Sequence, residues 1–282
     1  MTQAFQFSHL PAGAARLGAV VARPKLIAIG CVVLLTALGW LTLAWLMAGM
    51  GGAGSGLPVA LQALCSALKG RDTPGALIAL MWAAMTLAMM LPTAGPMILT
   101  YSEIAETAAR KGERIMSPLV LAAGYGIVWA GFALAATLAQ LMLTRLALID
   151  AGMTPASGLF SGAIFTAAGV YQFTPLKHAC LTQCQRPFPF FFARWQTTAK
   201  GVFRLGLTQG LYCLGCCWAM MLVMFAVGLM NVVWMAALGV VMTIEKIGSG
   251  RRFSHFVGAA MIVAGAAFAI LAFAAHWPGA AV

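Results

Sequence analysis

Two groups of cysteines offer the most distinctive chemistry in this sequence. The first group, Cys213-Leu-Gly-Cys216-Cys217, lies inside a long apolar segment, and the second is the pair Cys180 and Cys184. Residues three and four positions apart project from the same side of an α-helix. The first group therefore predicts three thiols that converge on one patch of a helix within the protein.

Sulfur ligands continue along the same helix face, where Met220 and Met224 follow the three thiols. Thiolates and thioethers favour Cu(I), zinc and iron–sulfur clusters over hard cations. Cu(I) fits best because it accepts few sulfur ligands, thioethers included, whereas zinc is held by a tetrahedron of four ligands. The alternative is structural, because small residues such as cysteine let helices approach closely and methionine fills gaps. We interpret the isolated Cys31 and Cys65 in that structural way.

The second group predicts either metal binding or redox exchange. Cys180 and Cys184 would align on a helix that begins near Pro175, with His178 near enough to join them. In a reducing compartment, such a pair favours a metal or a redox role over a structural disulfide. If the segment Lys177–Arg204 lies at the membrane surface, there are two nearby sites, which we favour. If this apolar, proline-containing segment re-enters the protein, all five thiols could converge.

Composition places the chain in a membrane. The 282 residues are 62% hydrophobic and only 8% charged, whereas about 25% of residues are charged in soluble domains. The net charge of +11 would suggest nucleic acid as the partner of a soluble protein. In a membrane protein it reflects the basic residues of cytoplasmic loops, so we expect a lipid bilayer and no nucleic acid.

Hydropathy predicts an all-α, polytopic transmembrane helical bundle of about seven spans. They are Leu26–Met50, Gly75–Thr100, Leu119–Leu143, Gly158–Leu176, Leu205–Gly228, Met230–Ile244 and Phe256–Ala275. With a cytoplasmic N-terminus, fourteen of the 17 basic residues fall on the inner side, and only Lys69, Arg71 and Arg145 fall outside. This split predicts an N-in, C-out protein of the bacterial inner membrane.

The parts outside the bundle are short. Residues 1–25 form a cytoplasmic N-terminal arm, residues 26–276 form the transmembrane domain, and residues 277–282 form a short tail. The charged segment Ser102–Arg114 suits a solvated continuation of the second helix, although Pro92 and Pro96 are expected to break that helix near its inner end.

Details within the spans give further expectations. Counted from Arg204 at the boundary, Cys213 would lie near the bilayer midplane. Asn231 should cap the sixth span, and Glu245 and Lys246 at its end should reach the solvated interface.

Several segments together resemble a known bacterial family. They are Trp82 through Pro92, Tyr171-Gln-x-Thr-Pro175-Leu-Lys177-x-x-Cys180-Leu-x-x-Cys184, Gly210-x-x-Cys213-x-Gly215-Cys216-Cys217-Trp218, and Gly228-x-Met230-Asn231-x-x-Trp234-Met235 through Glu245-Lys246. Over about residues 81–246, the chain resembles the family called domain of unknown function 2182. Its members are described as predicted metal-binding integral membrane proteins. The resemblance implies a multi-helix membrane protein with a metal site and assigns no activity.

The predicted function is therefore binding of a soft metal, Cu(I) first and zinc second, for storage, insertion or transport. The ligands are Cys213, Cys216 and Cys217, with Cys180, Cys184 and His178 on the cytoplasmic side and Met220 and Met224 along the inner stripe. A metallochaperone or another membrane subunit would be the partner, and the sequence does not indicate an oligomeric state. The alternatives are a membrane thiol-disulfide oxidoreductase, whose catalytic residues would be undefined, and an assembly subunit with inert cysteines.

Overall fold

The computed structural model describes residues 24–50, 74–149, 154–229, 231–248 and 250–276, and over these ranges the chain is helical apart from short connections. Within them, the β-type pairing is one isolated bridge between Ile149 and Pro155. The all-α prediction is confirmed. The predicted N-terminal arm, the tail and Cys65 lie outside the described residues.

The helices alternate between long and short. In chain order they are α1 (Pro24–Met50), α2 (Pro74–Arg110), α3 (Pro118–Arg145), α4 (Gly158–Tyr171), α5 (Pro175–Gln185), α6 (Pro187–Ala193), α7 (Ala199–Leu222), α8 (Met224–Val227), α9 (Val232–Ile247) and α10 (Gly250–His276). Among the described residues, five stretches are long and apolar enough to cross a membrane: Ile29–Leu46, Gly75–Arg110, Pro118–Arg145, Ala199–Val227 and Arg251–Ala274.

Two predicted spans are shorter than the hydrocarbon core. Helix α4 has 14 residues and α9 has 16, which correspond to about 21 and 24 Å, against a core of about 30 Å. The fourth span ends before Leu176 because Thr174 caps a new helix that begins at Pro175. The predicted cap of α9 is confirmed, since the Asn231 side chain accepts a hydrogen bond from the Trp234 amide. Length alone therefore does not confirm seven spans.

The expected break in the second helix is wrong. Helix α2 runs without interruption to Arg110, past Pro92 and Pro96. Prolines are tolerated in membrane helices where packing against neighbouring helices offsets the lost helix bond. Here the hydroxyl of Thr93 and that of Tyr125, on α3, both donate to the carbonyl of Met90. The predicted helical continuation beyond residue 102 is present, with its charged side chains at the surface.

Contacts at small residues show the relative direction of neighbouring helices. Gly158 lies against Ala272 and Gly169 against Gly258, so α4 runs antiparallel to α10 along its whole length. In contrast, α3 runs parallel to α7, because successive contacts move toward the C-terminus of both helices, from Leu121 with Gly206 to Val128 with Gly210.

Helix α9 runs in the same direction as α2. Gly239 lies near the Met89 side chain, and one to two turns later the Lys246 ammonium donates to Thr93 at 2.7 Å. Helices α2 and α3 are antiparallel, as shown by the bond from Trp82 to Gln140 and the bond between Tyr125 and Met90. The end of α9 therefore meets the middle of α2 beside α3.

Two glycines on α3 provide a direct test of this packing. A methyl group at Gly124 would meet the carbonyl oxygen of Phe203 and lie 2.9 Å from the amide nitrogen of Leu207, whereas nothing lies within 4 Å at Gly126. We expect Gly124→Ala to destabilise the protein by about 1–3 kcal/mol, the usual cost of overpacking, and Gly126→Ala to leave it unchanged. Thermal unfolding in detergent measures both. Equal midpoints for the two variants would contradict the close approach of α3 and α7.

Candidate metal centre

Helix α5 packs into the bundle against α7. The Cys180 sulfur occupies the space beside Gly215, where a Cβ atom would lie 2.6 Å from it. The hydroxyl of Tyr171, at the end of α4, donates to the Gly215 carbonyl, and Thr174 caps α5 one turn later. A glycine on α7 thus lets the second cysteine segment approach the first. The structure follows the re-entering arrangement rather than the surface loop that we favoured.

Four thiols from the two helices lie together, and we call Cys184, Cys213, Cys216 and Cys217 the thiol cluster. The Sγ atoms of Cys216 and Cys217 are 3.3 Å apart, and those of Cys184 and Cys216 are 3.9 Å apart. The Cys216 thiol also donates to the Cys213 carbonyl oxygen at 3.1 Å, and Cys213 lies one turn before Cys216 on α7. The three cysteines of α7 expose at most 3% of their surface, whereas Cys184 is partly exposed. The two cysteine groups that the sequence analysis treated as separate sites therefore contribute thiols to one cluster.

Polar groups from three further helices surround Cys213. The Lys246 ammonium, on α9, lies 2.9 Å from its Sγ atom and also donates to Thr93 of α2 at 2.7 Å. The Tyr125 hydroxyl, on α3, lies 3.0 Å from the same sulfur. An ammonium beside a thiol favours the thiolate, which is the form that binds metals and acts as a nucleophile.

A buried ion pair joins α5 to α9. The Lys177 ammonium lies 3.0 and 2.8 Å from the two carboxylate oxygens of Glu245, and both side chains are at most 1% exposed. Ser254 of α10 donates to the same carboxylate, and Gln185 donates to the Glu245 carbonyl. The expectation that Glu245 and Lys246 reach the solvated interface is wrong for Glu245, because its carboxylate has a buried partner.

The cluster has the right donors for a soft metal but is not a finished metal cage. Among the described residues, no three His, Cys, Asp or Glu side chains are placed to hold one ion. With metal–sulfur bonds of about 2.3 Å, two sulfurs on one ion lie at most about 4.6 Å apart. The separations of 3.3 and 3.9 Å fall within that limit. The thiols can therefore supply pairs of ligands, while higher coordination requires rotation of side chains.

The structure does not bring His178 to the thiols. Its Nε2 atom lies 3.1 Å from Nε2 of His255, at the start of α10, and its Nδ1 atom is buried without a hydrogen bond among the described residues. His178 and Cys180 are two residues apart, which places them on opposite faces of α5. Burial lowers the pKa of the His178 imidazole and so favours the neutral, ligating form.

The predicted thioether ligands follow the thiols, Met220 near the end of α7 and Met224 at the start of α8. Met220 and Met224 are at most 1% exposed and follow Cys217 on its helix face, one and two turns on. The methionine stripe of α2, which includes Met81 and Met85, is buried in the core.

The thiol cluster lies level with the ends of two helices. Lys246 is one residue before the end of α9, and Glu245 contacts Ser254 in the second turn of α10. The predicted position near the bilayer midplane assumed that Arg204 marks the boundary. Along α7 itself, which runs from Ala199 to Leu222, Cys213 lies in the middle of the helix, and its position near the bilayer midplane stays a prediction.

Sequence reasoning missed the residues that surround the thiols. We counted Lys177 and Lys246 among the loop cations, yet Lys177 is fully buried and Lys246 turns inward to Cys213. Tyr125 and Thr93 were not considered. The available signal was an acidic and a basic residue side by side at the end of an otherwise apolar helix, where charge is expensive.

A model of the copper chaperone family PpoB2 matches residues 79–268 of the chain. The matched region contains every predicted ligand, the ion pair and Tyr125. The match bears out a copper-related family, under a different name from the family that the sequence resembles. Neither a curated protein nor a solved structure matches the chain significantly.

The ion pair yields a stability prediction. Lys177→Met leaves the Glu245 carboxylate buried without its partner, which costs about 3–5 kcal/mol. The double variant Lys177→Met with Glu245→Gln removes both charges and should recover part of that loss. Thermal unfolding in detergent measures the difference, and Lys200→Met, at an exposed lysine of α7, is the control. A Lys177→Met protein as stable as the wild type would show that the ion pair between Lys177 and Glu245 is not formed.

Proposed function

Because the chain belongs to the copper chaperone family PpoB2, we propose that it binds Cu(I) within the bacterial inner membrane and passes the ion on to a partner. The observation that carries this proposal is the meeting of thiols from α5 and α7, with Cys184 and Cys216 3.9 Å apart. Four adjacent thiols are an uncommon donor set in a protein interior, and thiolate sulfur suits Cu(I).

The geometry supports Cu(I) over zinc as the cargo. Structural zinc is bound by four ligands in a tetrahedron, whereas the described side chains are not arranged as such a cage. Sulfur pairs such as Cys184 with Cys216 suffice for an ion that accepts few ligands. Cys213 and Cys217 would then supply alternative ligands within the same cluster.

Transfer needs a ligand that a partner can reach. Cys184 is the most exposed thiol of the cluster, and we propose it as the ligand that first meets incoming or departing copper. Cys180 would act as a further acceptor on the cytoplasmic side, and Met220 of α7 and Met224 of α8 as thioether ligands farther along the chain. His178, which faces His255 and not the thiols, would act only as a separate acceptor on that side. A metallochaperone or another membrane subunit would be the partner.

We propose seven crossings, which the helix directions support, with the N-terminus inside, which the distribution of basic residues supports. If the chain crossed only through the five long stretches, α3 and α7 would be consecutive spans and antiparallel, yet they are parallel. One crossing by α4 removes this conflict, and the antiparallel packing of α4 with α10 then requires a crossing by α9 as well as by α7. A crossing by α9, parallel to α2, completes the same pattern.

Copper binding is the first test of this proposal. The full chain, purified anaerobically in detergent with a reductant, should bind stoichiometric Cu(I) in competition with a chromogenic Cu(I) chelator. We expect Cys216→Ser and Cys184→Ser to weaken binding at least about 10-fold, since disturbing even the outer shell of a metal site has effects of that size. Cys31→Ser, at an isolated cysteine of α1, should bind as the wild type does. Mass spectrometry of bound metal gives the stoichiometry.

The outcomes of that experiment separate three functions. Wild-type protein that takes up no Cu(I) would overturn the proposal. Thiols that interconvert with a disulfide as the redox potential changes, without metal uptake, would indicate a thiol-disulfide oxidoreductase. Unchanged copper content in all serine variants would indicate inert cysteines in an assembly subunit.

Topology can be tested with two short epitope insertions. An epitope after Ala147, between α3 and α4, should be accessible from outside the cell membrane. An epitope after Gln196, between α6 and α7, should be accessible only from the cytoplasmic side. Antibody binding to spheroplasts and to inverted vesicles measures both, with correct folding checked by copper uptake. Epitopes on the same side would show that α4 does not cross.

A further inference from the structure

One ammonium group lies directly against the thiol cluster. Nζ of Lys246 is 2.9 Å from Cys213 Sγ and 2.7 Å from Thr93 Oγ1, and both of these side chains are buried. The neighbouring carboxylate does not offset this charge, because Glu245 is held by Lys177 at 2.8 Å. Lys246 therefore places a positive charge at the edge of the proposed copper site.

The charge of the loaded site depends on the ion. Each cysteine that binds a metal loses its proton, so two ligands contribute two negative charges. A Cu(I) ion with two thiolates carries one net negative charge, which the ammonium of Lys246 neutralises. A zinc ion with two thiolates is neutral, so the ammonium stays uncompensated in a low-dielectric interior, where an unbalanced charge is costly.

Beside the ammonium of Lys246, zinc reaches neutrality with a third thiolate. Its tetrahedral preference would then demand the fourth thiol of the cluster as well. Because a cysteine that binds a metal loses its proton, zinc with four thiolates carries two negative charges, of which the ammonium offsets only one. Cu(I) with two thiolates satisfies charge and coordination together.

We propose that Lys246 determines the metal specificity of the site, by favouring a monovalent soft ion held by two thiolates over a divalent ion. The inference rests on the proposed function. Lys246 acts as a charge-balancing and positioning residue for Cys213, and it is not a metal ligand. Thr93 holds the ammonium in place from α2.

The test compares Cu(I) and zinc affinities of the full chain in detergent, each measured with a chromogenic chelator under reducing, anaerobic conditions. In Lys246→Met, we expect Cu(I) affinity to fall at least about 10-fold, as for loss of one member of a buried charge pair. Zinc affinity should stay the same or rise, so the preference for Cu(I) falls. Lys246→Arg keeps the charge and should restore most of the preference, and Lys200→Met is the exposed-lysine control.

The ratio of the two affinities separates selectivity from mere structure. Equal weakening for both metals would overturn the inference and make Lys246 a packing residue, as would an unchanged ratio. If Lys246→Met does not fold, Thr93→Val, which removes the second hydrogen-bond partner of the ammonium, should lower the same ratio less strongly. An unchanged ratio in Thr93→Val would overturn the inference.

Wild-type protein that binds Cu(I), with variants that keep its preference, would refute only this inference. Wild-type protein that binds no Cu(I) would refute the proposed function.

Discussion

The buried pair of Lys177 and Glu245 is the constraint on which the rest of the site depends. It holds the start of α5 against the end of α9, with both side chains almost wholly excluded from solvent. Charges inside a membrane protein are expensive unless they are paired, so this contact tolerates little displacement of either helix. One residue beyond Glu245, Lys246 is thereby directed to Cys213, and α5 carries Cys184 to Cys216. The ion pair and the thiol cluster are therefore two consequences of a single helix contact.

Close packing of helices at glycine residues is the second constraint on the site. Gly215 leaves room for the Cys180 sulfur, and Gly206 and Gly210 let α7 lie directly against α3. In lipid, helices associate through such small-residue contacts because apolar burial alone gives little driving force between them. The same approach brings the Tyr125 hydroxyl within 3.0 Å of Cys213. Glycines far from the thiols in sequence thus determine which polar groups reach them.

Local patterns predicted the helices and the three thiols of α7, because apolar length and helical spacing are properties of a single segment. The contact of Cys184 with Cys216 was less predictable, since it requires α5 to fold back into the bundle, and the segment that contains it is apolar enough for either arrangement. The roles of Lys177 and Lys246 were mistaken because counting loop charges treats every lysine near a span end as solvated. A proline inside a span was likewise interpreted as a break, although α2 continues through Pro92 while packed against α3, where Tyr125 donates to the Met90 carbonyl. In each case the deciding partner is distant in sequence.

A cluster with more thiols than its ion needs suits transfer better than storage. A Cu(I) ion held by two sulfurs of the cluster has further sulfurs within reach, so one ligand can replace another before the first is fully lost. Such stepwise exchange avoids a bare ion in a low-dielectric interior, which would be far costlier than any ligand-bound state. Cys184 is the more exposed thiol of the cluster, and Cys213 is the thiol held by Lys246 and Tyr125. Cys184 is one residue before the end of α5, so the more exposed ligand of the cluster is also at a helix end, where a partner can approach it.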